Sequence, residues 1–122
     1  MAGENISVVK VHDVLLVTVP SEPDDETVSV LQDEVLNAMK RYEPKGVVLD
    51  ISTVETMDSF FARTIAETGA MVRLMGGHTI IAGMKASIAI TVTQLGLGLG
   101  NTYSALNVEQ ALEIFEEKVK GS

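Results

Sequence analysis

Short β-branched runs alternate with amphipathic helical stripes along this sequence, and that alternation limits the folds open to it. The runs "ISVVKV" (Ile6–Val11) and "VLLVTV" (Val14–Val19) are rich in residues that favour strands. Only His12 and Asp13 separate them, which predicts a tight antiparallel hairpin. "PSEPDDE" (Pro20–Glu26) ends the second strand and opens a helix, with acids in its first turn to complement the dipole. Val28, Leu31, Val35, Met39 and Tyr42 then recur at helical spacing as one buried stripe, and "EPKG" stops it. "VVLDI" (Val47–Ile51) reads as a central strand. A second helix runs from Asp58 to about Met75, with Phe61, Ile65, Thr68, Val72 and Met75 on one face. Gly76 and Gly77 terminate it. "HTIIAG" (His78–Gly83) is the next strand, and Lys85–Gly96 a third helix despite its β-branched content. "LGLGN" is a loop and "TYS" (Thr102–Ser104) a short edge strand. Asn107 and Gln110 have the spacing of a capping box, ahead of the stripe Val108, Leu112, Phe115 and Val119. The order β-β-α-β-α-β-α-(β)-α predicts an α/β fold. It is a single domain over 1–122, with a mostly parallel mixed sheet, an antiparallel N-terminal strand and about four helices.

Length and composition agree with this. The chain has 122 residues, enough for one core, and 46% of them are hydrophobic but only 4% aromatic, so the core must be aliphatic. Cysteine is absent, which excludes a disulfide framework and thiol chemistry. The net charge of −8 argues against nucleic acid and anionic membrane as partners. "MAGENISVVK" has no secretory pattern, and no apolar run nears the roughly 20 residues that span a bilayer, so a cytoplasmic protein is expected. A mean hydropathy of +0.25 implies either an efficient core or apolar surface kept for self-association or a partner.

Chemistry-bearing residues are few. His12 and His78 are the only histidines, and neither belongs to a cluster with metal-ligand spacing or to a nucleophile motif. "LGLGLGN" (Leu95–Asn101) follows a helix and lacks the strand-then-helix context of a phosphate loop, so it reads as a turn. No metal, nucleotide or other cofactor is expected, and no enzymatic activity. Asp50 ends a central strand, as does the phospho-acceptor of receiver domains. Those domains also need an acid pair after the first strand and a Lys after the last. Asp24 and Asp25 sit at a helix start and "TYSALN" has no Lys. The pair Asp58–Ser59 stands out more. Asp, Ser and Thr are preferred caps, and one cap explains one of the two. With Asp58 as cap, Ser59 takes the first helical position. A phosphate there would meet unpaired N–H groups and the positive end of the dipole. Plain capping and a phosphorylation site both remain open on this pattern alone.

"VVLDISTVETMDS", followed by a helix, "GGHTIIAGMKASIAITVTQLGL" and an acidic last helix, resembles the STAS domain family (sulfate transporter and anti-sigma factor antagonist) over nearly the whole chain. In that family a strand ending in Leu-Asp leads to an Asp-Ser pair whose Ser a partner kinase phosphorylates. The resemblance therefore implies Ser59 as acceptor and Asp58 beside it. Simple antagonists usually read Asp-Ser-Ser-Gly-Leu-Gly here, whereas this chain reads Asp58-Ser59-Phe60-Phe61-Ala62-Arg63. That form is closer to the short stressosome-scaffold branch, the RsbS type, and a chain that starts at its first strand has no room for a sensory domain. The branch implies assembly with RsbR-type STAS paralogues, self-association, capture of an RsbT-type serine kinase, and resetting by a PP2C-type phosphatase. Glu55, Thr56, Asp58 and Phe60 are then expected around the switch as partner contacts. At least one of Phe60 and Phe61 should be core.

Overall fold

A computed structural model of the chain describes residues 6–96, 99–100 and 102–120. Five strands, β1 (Ser7–Val11), β2 (Val14–Thr18), β3 (Gly46–Asp50), β4 (His78–Ala82) and β5 (Thr102–Ala105), form one sheet in sequence order. β1 and β2 are antiparallel and all other pairings are parallel. The helices are α1 (Asp25–Tyr42), α2 (Ser59–Leu74), α3 (Ala86–Gln94) and α4 (Val108–Ile114), the last continued by a π-helical segment at Phe115–Lys120. The expected fold is thus the observed one, and β5 is a true edge strand.

A parallel sheet that advances in one direction through crossovers of one hand puts its connecting helices on one face. The core divides accordingly. Leu15, Val17, Val47, Leu49 and Ile81 meet Val28, Leu31 and Val35 of α1, Phe61, Ile65 and Val72 of α2, and Ile88 and Val92 of α3. The alternate strand residues Val14, Val48, Ile80 and Ala82 turn the other way, against Ala111 and Phe115. Two-residue alternation decides which face each side chain serves, and each fully buried Val, Leu or Ile contributes roughly 1.5–3 kcal/mol.

Three stripe positions differ from expectation, each for a local reason. Tyr42, the last residue of α1, is exposed and has the cations of Lys10 and Arg41 over its ring, 5.9 and 5.3 Å from the centroid. Met75 is exposed because α2 already ends at Leu74. There Gly76, at φ +95, and Gly77 donate to the carbonyls of Arg73 and Val72, closing a Schellman turn. Leu112 is half-exposed because Ala111 and Phe115, one turn apart, take the inward face of α4 in its place. In the capping box of α4, Asn107 accepts from Gln110 N at 2.8 Å, but Gln110 reaches one residue further back, to Leu106 N at 2.7 Å. The turn at Leu95–Asn101 lies partly outside the described residues.

Two glycines permit close approaches. A Cβ on Gly46 would lie 2.6 Å from the Phe115 ring. Gly83, at φ +80, lies so close to Ser52 that a Cβ would fall 2.7 Å from the Ser52 Cβ. That second contact sets the β3–α2 loop against the end of β4.

Candidate functional site

The loop from Ile51 to Asp58 is held by three plugs, Ile51, Val54 and Met57, all buried. Between them Ser52, Thr53, Glu55 and Thr56 are exposed. Asp50 helps to turn the chain: its Oδ1 accepts from Ser52 N at 3.0 Å. Ile51 N donates to Ala82 O and Val54 N to Ile51 O, both at 3.0 Å. An apolar residue at every third position thus pins a polar loop to the C-terminal edge of the sheet.

Asp58 caps α2. Its backbone is extended, at φ −91 and ψ 178, and its Oδ1 accepts from Phe61 N at 2.8 Å. Ala62 N makes the first turn's bond to Asp58 O at 3.0 Å. Ser59 is the first helical residue and half-buried. Its hydroxyl has no hydrogen-bond partner among the described residues. The first N–H groups of a helix have no intrahelical acceptor, so those of Ser59 and Phe60 are free for an anion. α2 also has no acidic residue in its first turn. The site therefore combines one unengaged hydroxyl, unpaired donors and a positive dipole end that only the capping Asp58 faces.

The two aromatics separate as the helix requires. Phe61 is 3% exposed and anchors α2 in the core, whereas Phe60 is 40% exposed. A cleft of about 180 Å³ lies beside the site, between the starts of α1 and α2, lined by Pro23, Asp25, Thr56, Met57, Asp58 and Phe61. Glu55 is engaged: Lys85 binds its carboxylate at 2.6 Å, tying the loop to the start of α3. Sequence reading missed Lys85 and Asp25. Lys85 is thirty residues from its partner, and no local pattern reports such a tertiary ion pair. The acid run Asp24–Glu26 was visible, but its nearness to Asp58 depends on α1 and α2 lying side by side.

Among the described residues no group of His, Cys, Asp and Glu is arranged to hold a metal ion, and no helix is long and apolar enough to cross a membrane. His78 lies away from this site, at the start of β4, with its ring centroid 6.0 Å from that of Tyr103. Burial, with Arg73 nearby, pushes its pKa below the ordinary value.

The five-stranded mixed sheet, its helices and the capped serine turn define a class. The chain belongs to the STAS domain family, whose sequence profile matches residues 5–111. Its likenesses point to one branch. A serine-to-glutamate variant of Moorella thermoacetica RsbS superposes with a TM-score of 0.81 at 30% identity, covering 93% of this chain and 97% of that one. A chain from a structure described as the molecular architecture of the stressosome, a signal integration and transduction hub, gives 0.74 at 30% identity, covering 91% and 96%. RsbRA of Bacillus subtilis (strain 168), an RsbT co-antagonist protein, is 29% identical over 100 residues. That match takes in 79% of this chain and 36% of RsbRA, so the chain spans about a third of the length of the curated relatives it matches.

Proposed function

We propose that this protein is a stressosome scaffold and phosphoswitch. It assembles with RsbR-type STAS paralogues in the cytoplasm, sequesters an RsbT-type serine kinase and releases it when that kinase phosphorylates Ser59. A PP2C-type phosphatase resets the site, and the chain itself catalyses nothing. The observation that carries this reading is the start of α2, where a capped, acid-free turn offers one unengaged hydroxyl beside an exposed Phe60. The likeness to RsbS and to a stressosome chain supports the scaffold part.

The switch follows from charge. A phosphate adds about −1.5 to −2 at neutral pH. Within the chain the helix N-terminus favours it by about 0.3–1 kcal/mol, so the fold tolerates it. Lys85 already compensates Glu55, so the charges the phosphate joins are Asp58 and the Asp25 across the cleft. Desolvating that group against a kinase surface with no Arg partner costs more than the local gain, and each lost 1.4 kcal/mol weakens binding about ten-fold. Phe60, Thr56 and Asp58 form the surface the kinase covers. Asp50 accepts from Ser52 N in its turn and Asp24 caps α1, which supports the phosphoswitch reading over a receiver-like alternative.

Kinase binding tests this. Ser59→Asp should keep the parent's circular dichroism and bind the kinase at least ten-fold more weakly. Ser59→Ala should bind as the parent does and never release it. A phosphoprotein that binds as tightly as the parent would remove the mechanism. A stand-alone antagonist acting on one kinase is the rival. Size-exclusion chromatography with an RsbR-type paralogue gives a very large particle for the scaffold and a small complex for the rival.

A further inference from the structure

The two ends of α2 serve opposite edges of the sheet. Its start holds Ser59 near the edge where β3 ends, and its last turn brings Arg73 to the edge where β4 and β5 begin. There Arg73, His78, Gly100, Thr102 and Tyr103 line a cavity of about 400 Å³, within the usual size range of small-molecule sites. Arg73 is exposed and has no hydrogen bond or ion pair among the described residues. Its place in the last turn complements the helix dipole, which accounts for the residue but not for the hollow beside it. His78 and Tyr103 stand on neighbouring strands, each half-buried, with ring centroids 6.0 Å apart and planes inclined at 41°. The imidazole nitrogens and the Tyr103 hydroxyl have no hydrogen-bond partner among the described residues. Thr102 Oγ1 is already spent on Leu99 O at 3.0 Å. The free donors of the cavity thus belong to an arginine, a histidine and a phenol, and none of its lining residues is acidic. The elements packed against β4 bring other polar groups near His78. Lys45, ahead of β3, accepts from His78 N through its carbonyl at 3.0 Å, and Glu109 and Glu113 of α4 are exposed. The charge that acts on His78 is that of Arg73, which together with burial lowers its pKa.

We propose that this cavity binds a small aromatic carboxylate, with its head on Arg73, His78 and Tyr103 and its ring against the two aromatic side chains. Three features select that ligand. The first is the head group. The planar guanidinium fork matches the two oxygens of a carboxylate, and the imidazole and phenol add donors beside it. The second is charge. One fixed cation beside a His78 held neutral at pH 7 matches a single negative charge, whereas a phosphate dianion would stay under-compensated in a chain of −8. The third is shape. An inorganic ion would leave most of the 400 Å³ empty, while the tilted rings of His78 and Tyr103 offer a face and an edge to a flat body. The inference does not depend on Ser59, and its test reads neither phosphorylation nor kinase.

The chain has two histidines, so the ring resonances in an NMR titration carry both a reporter and a control. Benzoate should shift those of His78 saturably, with a Kd of about 1 mM. His12, in the turn between β1 and β2 with β3 between it and β4, should not move. Benzamide, of the same size but uncharged, should bind at least ten-fold more weakly. Arg73→Gln should lose benzoate affinity by a similar factor with unchanged circular dichroism. A bound anion favours the imidazolium, so the complex takes up a proton, and benzoate should bind about three-fold more tightly at pH 5.5 than at pH 7.5. No saturable shift of His78 below about 10 mM benzoate, benzamide binding as tightly as benzoate, or full affinity in Arg73→Gln would overturn the proposal. So would an affinity indifferent to pH, since His78 would then face no anion, or tighter binding of phenyl phosphate than of benzoate.

Discussion

α1 and α2 begin in the same way and continue differently. Both open on an aspartate in extended conformation, and both caps accept from the third helical N–H at 2.8 Å. The two starts flank one cleft. α1 then places Asp25 and Glu26 in its first turn, while α2 places Ser59 and Phe60 there and no acid. α4 also caps with a side chain and adds Glu109. Among the described helices with a side-chain cap, only α2 has no acidic residue in its first turn beyond the cap itself. At α2 the cap Asp58 is therefore the one negative charge at the positive end, and the first turn holds a hydroxyl where α1 holds an acid.

The largest effect separates the two aromatics. Phe61→Ala should cost about 3–5 kcal/mol in urea unfolding, because it empties a core position. Phe60→Ala should shift stability by no more than about 0.5 kcal/mol yet weaken kinase binding. Equal losses from the two would deny that α2 turns one ring inward and one outward.

The caps come next. Asp24→Ala and Asp58→Ala should each cost about 1 kcal/mol. If Asp58→Ala were silent and Ser59→Ala costly, the cap would be Ser59 and the hydroxyl would not be free.

Exchanging the first turns sharpens the contrast further. Ser59→Asp should stabilise by about 0.3–1 kcal/mol and Asp25→Ser should destabilise by a similar amount, measured by thermal melts at low salt. High salt should shrink both.

The smallest effect lies outside the comparison and serves as its control. The folded state lowers the pKa of His78 from 6.5. The unfolded chain therefore binds the proton more readily, and this contribution is present above about pH 6.5 and lost as pH falls below it. His78→Gln should flatten that slope in a pH series of urea midpoints and leave Ser59 phosphorylation unchanged.

Most of the fold was legible because periodicity reports burial directly. Strands marked by "VLLVTV" and "VVLDI", the Asp58 cap and the double-glycine stop all rest on local rules. Tyr42 and Met75 misled because each lies at a helix end, where the stripe leaves its face, and Leu112 misled because the small Ala111 beside it takes the inward position. At the site, the position of Ser59 after its cap was readable. The engagement of Glu55 by Lys85 and the adjacency of Asp25 to Asp58 were not, because both depend on which helices the sheet sets side by side. Which phenylalanine is buried was also undecided until the helix phase was known, since adjacent residues differ by about 100° around the axis.

The central claim is that the start of α2 is built to carry a phosphate. Incubation with an RsbT-type kinase and ATP, followed by intact-mass analysis and peptide mapping, tests it most directly. The account predicts a single added phosphate on Ser59 in the parent and none in Ser59→Ala, with both proteins folded. Phosphate on Ser52, Thr53 or Thr56 with Ser59 unmodified would contradict it.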